Sequence, residues 1–189
     1  MLTVQERFFL SSEVSILVVI DVQERLCSCM DEAALGVLTG NTMRLFDASA
    51  ELGIPVTVTE QFVDGLGPTL PDLSDKMAAV PGFDDMNLRC CGCNELVERI
   101  QSLEGKQIVI TGMEAHVCVL NTVLELLDLG YVVHVVKDAV LSRSDENREI
   151  ALGIMSQAGA VITCTESVLF QWFKTSGADA CEIMPKLMR

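Results

Sequence analysis

The chain has 189 residues, half of them hydrophobic and 21% charged, with a mean hydropathy of +0.39, which suits one well-filled domain and excludes a disordered or collagen-like polymer. Thirteen Lys and Arg stand against 27 Asp and Glu, a net charge of −14, and the basic residues occur singly along the chain; no basic stripe is offered to a phosphate backbone, so nucleic acid is not expected as a partner. No apolar run approaches the roughly 18 residues of a membrane span, and the segment Met1 to Leu26 carries Glu6 and Arg7 and ends its apolar run at Asp21, unlike a secretory signal.

In chain order, Ile16–Val22 (ILVVIDV) is a short, nearly continuous run rich in β-branched residues and predicts a buried parallel strand. Ala34–Leu52 has helical spacing and is followed by Gly53 as a stop signal. Pro55–Glu60 (PVTVTE) predicts a second strand, and Gln61–Cys93, with three of the five prolines, a long loop. A regular alternation follows. Helices are predicted at about Asn94–Leu103, Cys118–Leu129 and Asp145–Ala158, and strands at Gln107–Thr111, Val132–Lys137 and Ala160–Cys164; Gly130 and Gly159 close the last two helices. An apolar tail helix around Val168–Phe173, with Trp172, suits either a subunit contact or packing on its own sheet. The alternation predicts a single α/β domain over residues 1–189, a parallel sheet covered by helices on both faces. The high hydropathy, with few aromatics, favours further burial in a homo-oligomer.

Ligands of such sheets bind at the carboxyl ends of the strands. That edge holds Asp21 after the first strand, Glu60 and Gln61 after the second, and the Gly112–Cys118 turn after the third. There is no GxGxxG, no GxxxxGK[ST] and no GxSxG. Of the two histidines, His134 lies within an apolar strand and reads as a satisfied core residue, so a His-rich metal site is not available. Cys90, Cys91 and Cys93 admit a redox pair or a zinc site, but no second CxxC or histidine pair supports either, and small buried thiols are the default. The eight cysteines, with no secretory signal, read as reduced thiols in a cytoplasmic protein. Cys118 differs. It falls at the start of a helix, where backbone N–H groups and the positive dipole end lower a thiol pKa and hold an oxyanion, with the carboxylate of Asp21 at the same sheet edge. Position alone leaves a structural and a nucleophilic Cys118 both open.

The stretches ILVVIDVQERL, TEQ…GLGPTLPDL, TGMEAHVCVLNTVLELLDLGYVVHVVKDAV and SRSDENREIALGIMSQAGAVITCTESVLFQW together resemble the isochorismatase-like cysteine hydrolases, closest to the isochorismatase-domain-containing subgroup. The resemblance implies a Rossmann-like three-layer α/β/α sandwich with a six-stranded parallel sheet, one strand more than the pattern gives. It implies an Asp–Lys–Cys triad in which Asp21 is the base and Cys118 the nucleophile, and a non-proline cis peptide at Met113–Glu114 shaping an oxyanion hole from the N–H groups of Glu114 and Cys118. Gln23, Gln61 and His116 would line the pocket. The family hydrolyses amides, esters, enol ethers or related bonds in small molecules and assembles as dimers, tetramers or octamers. Metal-binding members carry Asp and His where this chain has Thr59, Glu60 and Gln61, so neither a metal nor another cofactor is expected. The lysine departs from the pattern: Val80 stands where it belongs, with Lys76 or Arg89 as replacements in a slipped register. Loss of that cation would raise the thiol pKa by about one to three units. The expected function is therefore a small-molecule cysteine hydrolase. The alternatives are a catalytically impaired scaffold for binding or assembly and a ribonuclease, against which the acidic charge weighs.

Overall fold

Ser15–Ile20 (β1) is buried at every residue, which a strand achieves only with a layer on each side of it. Leu17 and Val19 enter one apolar cluster, and Ile16, Val18 and Ile20 the opposite one, as the two-residue period of a strand requires. The computed structural model describes residues 2–77, 94–103 and 105–176. With Val56–Thr59 (β2), Gln107–Met113 (β3), Val132–Leu141 (β4) and Val161–Thr163 (β5), β1 forms a sheet of order β2-β1-β3-β4-β5, parallel throughout. These are the five strands of the sequence pattern; the sixth implied by the resemblance is not found among the described residues.

The helices are Val4–Phe8 (α1), Glu24–Cys27 (α2), Glu32–Leu52 (α3), Val63–Leu66 (α4), Pro71–Met77 (α5), Asn94–Ser102 (α6), Leu120–Asp128 (α7), Asp145–Ala158 (α8) and Thr165–Ser176 (α9). Asp31 caps α3 by accepting from the Ala34 N–H, and Gly53, at φ 68°, ends it in the left-handed conformation that glycine adopts at least cost. One face of the sheet is covered by α3 and α9, through Leu38, Leu45, Phe46, Val168, Leu169, Trp172 and Phe173. The other is covered by α6, α7 and α8, through Ile100, Val123, Leu126, Leu152 and Met155. Each such side chain, fully buried, contributes on the order of 1.5–3 kcal/mol.

Three expectations change, and one open alternative is decided. The 61–93 segment is not loop alone, since α4 and α5 lie within it. The first strand stops at Ile20 rather than Val22, because Asp21 turns into the left-handed region at φ 49°. The third and fourth strands run on to Met113 and Leu141, carried by a register shift between Ile110 and Gly112. The tail helix is spent on its own sheet: Val168, Leu169, Trp172 and Phe173 are buried within the chain, and the Trp172 indole N–H donates to Ser15 Oγ at 2.9 Å. It is no subunit contact through those residues. His134 is a core residue as expected, its Nε2 3.1 Å from the Arg7 carbonyl, and burial pushes its pKa down to about 4.

Candidate active site

The carboxyl ends of β1, β2 and β3 meet through a few backbone contacts that only certain residues permit. Ile20 pairs with Thr59 on one side and with Gly112 on the other. Gly112 has φ +115°, and a Cβ there would collide with the Ile20 carbonyl oxygen, so no other residue brings β3 this close to β1. Asp21 leaves the strand with its N–H on the Thr59 carbonyl (3.1 Å) and its own carbonyl accepting from the Gln23 N–H (2.9 Å). Aspartate is among the few side-chain-bearing residues that enter the left-handed region readily. Its carboxylate is fully buried and accepts from Thr59 Oγ1 at 2.6 Å, a short charge-assisted bond of the kind a buried carboxylate requires.

From β3 the chain passes through a cis peptide between Met113 and Glu114 into a π-helical turn, Ala115–Val119, that runs on into α7. The expected helix from Cys118 therefore begins three residues earlier, with Cys118 inside its opening turn. Such turns recur at functional sites. The Glu114 carbonyl accepts from the N–H groups of Val117 (3.0 Å) and Val119 (3.2 Å), and the Cys118 thiol is half-buried. Thus Asp21 and Cys118 stand at the ends of paired strands, as the sequence led one to expect.

The turn is held from β4. Arg143 donates to Glu114 Oε2 from its backbone N–H (3.0 Å) and from Nε (3.1 Å), and its Nη2 lies 3.1 Å from Oε1. Ser142 Oγ is 3.0 Å from His116 Nδ1. Burial alone would raise the Glu114 carboxyl, but the Arg143 N–H and guanidinium, with a further contribution from His116, hold it below the ordinary glutamate range. Arg143 and Ser142 were not singled out in the sequence. The signal available there was a lone glutamate in the apolar stretch GMEAHVC, a residue that needs a cation once buried.

Gln23 and Gln61 meet across the loop after β2. The Gln23 amide is buried and donates to the carbonyls of Gln61 (3.1 Å) and Gly67 (2.6 Å), while its Oε1 accepts from the Gln61 N–H (2.8 Å). Its amide braces that loop. Glu60 is likewise spent, accepting from the Thr69 hydroxyl at 2.7 Å. Lys76, one of the two replacements considered for the family lysine, pairs with Asp47 of α3 at the surface. Val80 and Arg89 lie outside the described residues, as do Cys90, Cys91 and Cys93. Among the described residues no group of three His, Cys, Asp or Glu is arranged to hold a metal ion, and no helix is long and apolar enough to cross a membrane. A separate crevice of about 800 Å³ opens at the ends of β4 and β5, lined among others by Val37, Leu38, Ile162 and Cys164; neither Asp21 nor Cys118 lines it.

Asp21 directly follows β1 and Cys118 lies in the turn after β3, two neighbouring strands of a parallel α/β sandwich. The isochorismatase domain model matches residues 15–167, and the chain belongs to that family. It is 36% identical over 184 residues to the secreted isochorismatase effector Isc1 of Phytophthora sojae, covering 93% of this chain and 84% of the relative. Human isochorismatase domain-containing protein 2 is 34% identical over 162 residues, covering 83% of this chain and 74% of that one, which places the chain with the isochorismatase-domain-containing subgroup. The structure of MAR1 ribonuclease from Caenorhabditis elegans superposes with a TM-score of 0.79 at 32% identity, covering 95% of this chain and 91% of that one. These likenesses support a hydrolase-like function.

Proposed function

We propose that the protein is a cysteine hydrolase of a small amide, ester or related compound, with Cys118 as nucleophile and Asp21 as general base. Asp21 takes the thiol proton; the thiolate adds to the substrate carbonyl carbon, and the oxyanion is met by the N–H groups of Glu114 and Cys118. The leaving group departs with the proton held on Asp21, giving a thioester on Cys118. A water molecule, deprotonated by Asp21, then adds to that thioester and releases the carboxylic acid and the thiol. Gln61 and His116 lie on the two segments that would flank the substrate, and no metal or other cofactor takes part. The observation that carries this reading is the buried Asp21 carboxylate, oriented by Thr59, one residue beyond the Ile20–Gly112 pairing with the strand that leads into the Cys118 turn.

The test is hydrolysis of a panel of small amides and esters by the wild type, Cys118→Ser and Asp21→Asn. Activity confined to the wild type supports the reading; equal activity in all three refutes it.

A second reading rests on the resemblance, which sets Val80 where the family lysine belongs, and on the pairing of Lys76, one of the two replacements, with Asp47. On that reading the chain is a scaffold for binding or assembly, and Val80→Lys creates thiol reactivity that the wild type lacks. The ribonuclease reading has the named structural neighbour in its favour and the net charge of −14 against it. Degradation of RNA by the wild type but not by Cys118→Ser would establish it. Assembly as a homo-oligomer and a cytoplasmic site of action belong to the proposal, the first resting on the high hydropathy and on outward apolar residues such as Ile150, Ile154 and Phe170.

A further inference from the structure

We propose that Arg143 is a positioning residue for the hydrolysis: by clamping the Glu114 carboxylate it fixes the peptide whose N–H meets the oxyanion. The proposal rests on the reading of Cys118 as nucleophile.

Three bonds from one residue converge on one carboxylate. The Arg143 N–H and Nε both reach Oε2, at 3.0 and 3.1 Å, and Nη2 reaches Oε1 at 3.1 Å. A guanidinium fork on two oxygens fixes direction as well as charge. The neighbouring Ser142 holds His116 at 3.0 Å, so two consecutive residues beyond β4 grip alternate positions of the turn that carries Cys118. The burden falls on the two partners unequally. Glu114 is nearly fully buried, whereas the Arg143 side chain is 59% exposed. Removing the arginine side chain therefore opens no core cavity; it leaves a buried carboxylate with the N–H of residue 143 but without its cation. The anchored side chain and the amide belong to the same residue, Glu114. Without that anchor the Glu114 backbone is free to shift, and the N–H shifts with it.

Two reactions of the same thiol separate positioning from mere folding. Alkylation by iodoacetamide forms the S–C bond as iodide leaves and develops no oxyanion. Acetylation by p-nitrophenyl acetate forms the S–C bond to the carbonyl carbon, places negative charge on its oxygen, and then breaks the C–O bond to release p-nitrophenolate. Both are followed at Cys118 by peptide mass spectrometry in the wild type, Arg143→Gln, Arg143→Lys and Glu114→Gln. Arg143→Gln is expected to slow acetylation by about 10- to 100-fold, part of what loss of one oxyanion donor costs, with alkylation within about twofold of the wild type. Arg143→Lys, which restores charge without the fork, falls between. Glu114→Gln leaves no buried charge unpaired, the Arg143 side chain being exposed, and provides a folded variant should Arg143→Gln be unstable; it too slows acetylation selectively. Equal slowing of both reactions, or of neither, overturns the positioning role while leaving the nucleophile in place. A wild-type Cys118 that is alkylated but never acetylated overturns the proposed function itself, and this role with it.

Discussion

Replacing His134 by Gln should make the protein's acid stability measurably better. His134 is 1% exposed in β4, and its neutral Nε2–H donates to the Arg7 carbonyl. Burial, only partly offset by that bond, lowers its pKa from 6.5 to about 4. The unfolded chain therefore takes up a proton as the pH falls below about 6.5, while the folded chain refuses it until about 4. Between those values the unfolded state binds more protons, so stability is full above the upper one, declines with falling pH, and has lost this contribution once the lower one is passed. The gap from 6.5 to about 4, at roughly 1.4 kcal/mol per pH unit, amounts to about 3 kcal/mol. Gln can donate to the same carbonyl and does not titrate. Urea unfolding of both proteins at half-unit steps from pH 7.5 to pH 4 measures the difference. The wild type should lose about 3 kcal/mol more than His134→Gln over that range, carboxylate effects being common to the two. Parallel curves would refute the reasoning.

Other outcomes follow from the site and its supports. Gly112→Ala drives a side chain into the Ile20 backbone at a φ of +115°; it should cost about 3 kcal/mol or more in thermal unfolding. Gly130→Ala, at φ +87° but with open space around it, should cost only about 1 kcal/mol. Thr59→Val strips the hydroxyl from the buried Asp21 carboxylate and should lower stability by about 2 kcal/mol in urea titration, whereas Thr59→Ser should stay near the wild type. Trp172→Ala removes a fully buried side chain and should cost about 3–5 kcal/mol, with no change of assembly state by sedimentation. Dissociation without loss of stability would instead place Trp172 at a subunit contact.

How the sequence prefigured the structure follows from the physics of each element. The strands were readable because burial on both faces leaves nearly continuous runs such as ILVVI and QIVIT. The candidate pair was readable for a related reason: in a parallel sheet the ends of strands are where polar residues collect, and Asp21 and Cys118 follow two such ends. What stayed hidden is set by tertiary contact. The left-handed Asp21 and the π-turn under Cys118 are backbone states imposed by neighbouring strands, with no local composition to announce them; the cis peptide before Glu114 was expected only through the family resemblance. The pairing of Glu114 with Arg143 spans 29 positions, beyond any periodic signal. The short helices α4 and α5 have too few turns to show a period.

The central claim is that a half-buried cysteine is activated by its surroundings. Thiol labelling by iodoacetamide at pH 7, resolved residue by residue with mass spectrometry, tests it most directly, because the chain carries its own standards. Cys29 and Cys164 are exposed thiols, and Cys27 is buried with its pKa pushed up to about 11. The account predicts that Cys118 is labelled faster than Cys29 and Cys164 despite being less accessible, and that Asp21→Asn removes the advantage. Labelling that simply follows exposure, with Cys118 behind both and indifferent to Asp21→Asn, would contradict it.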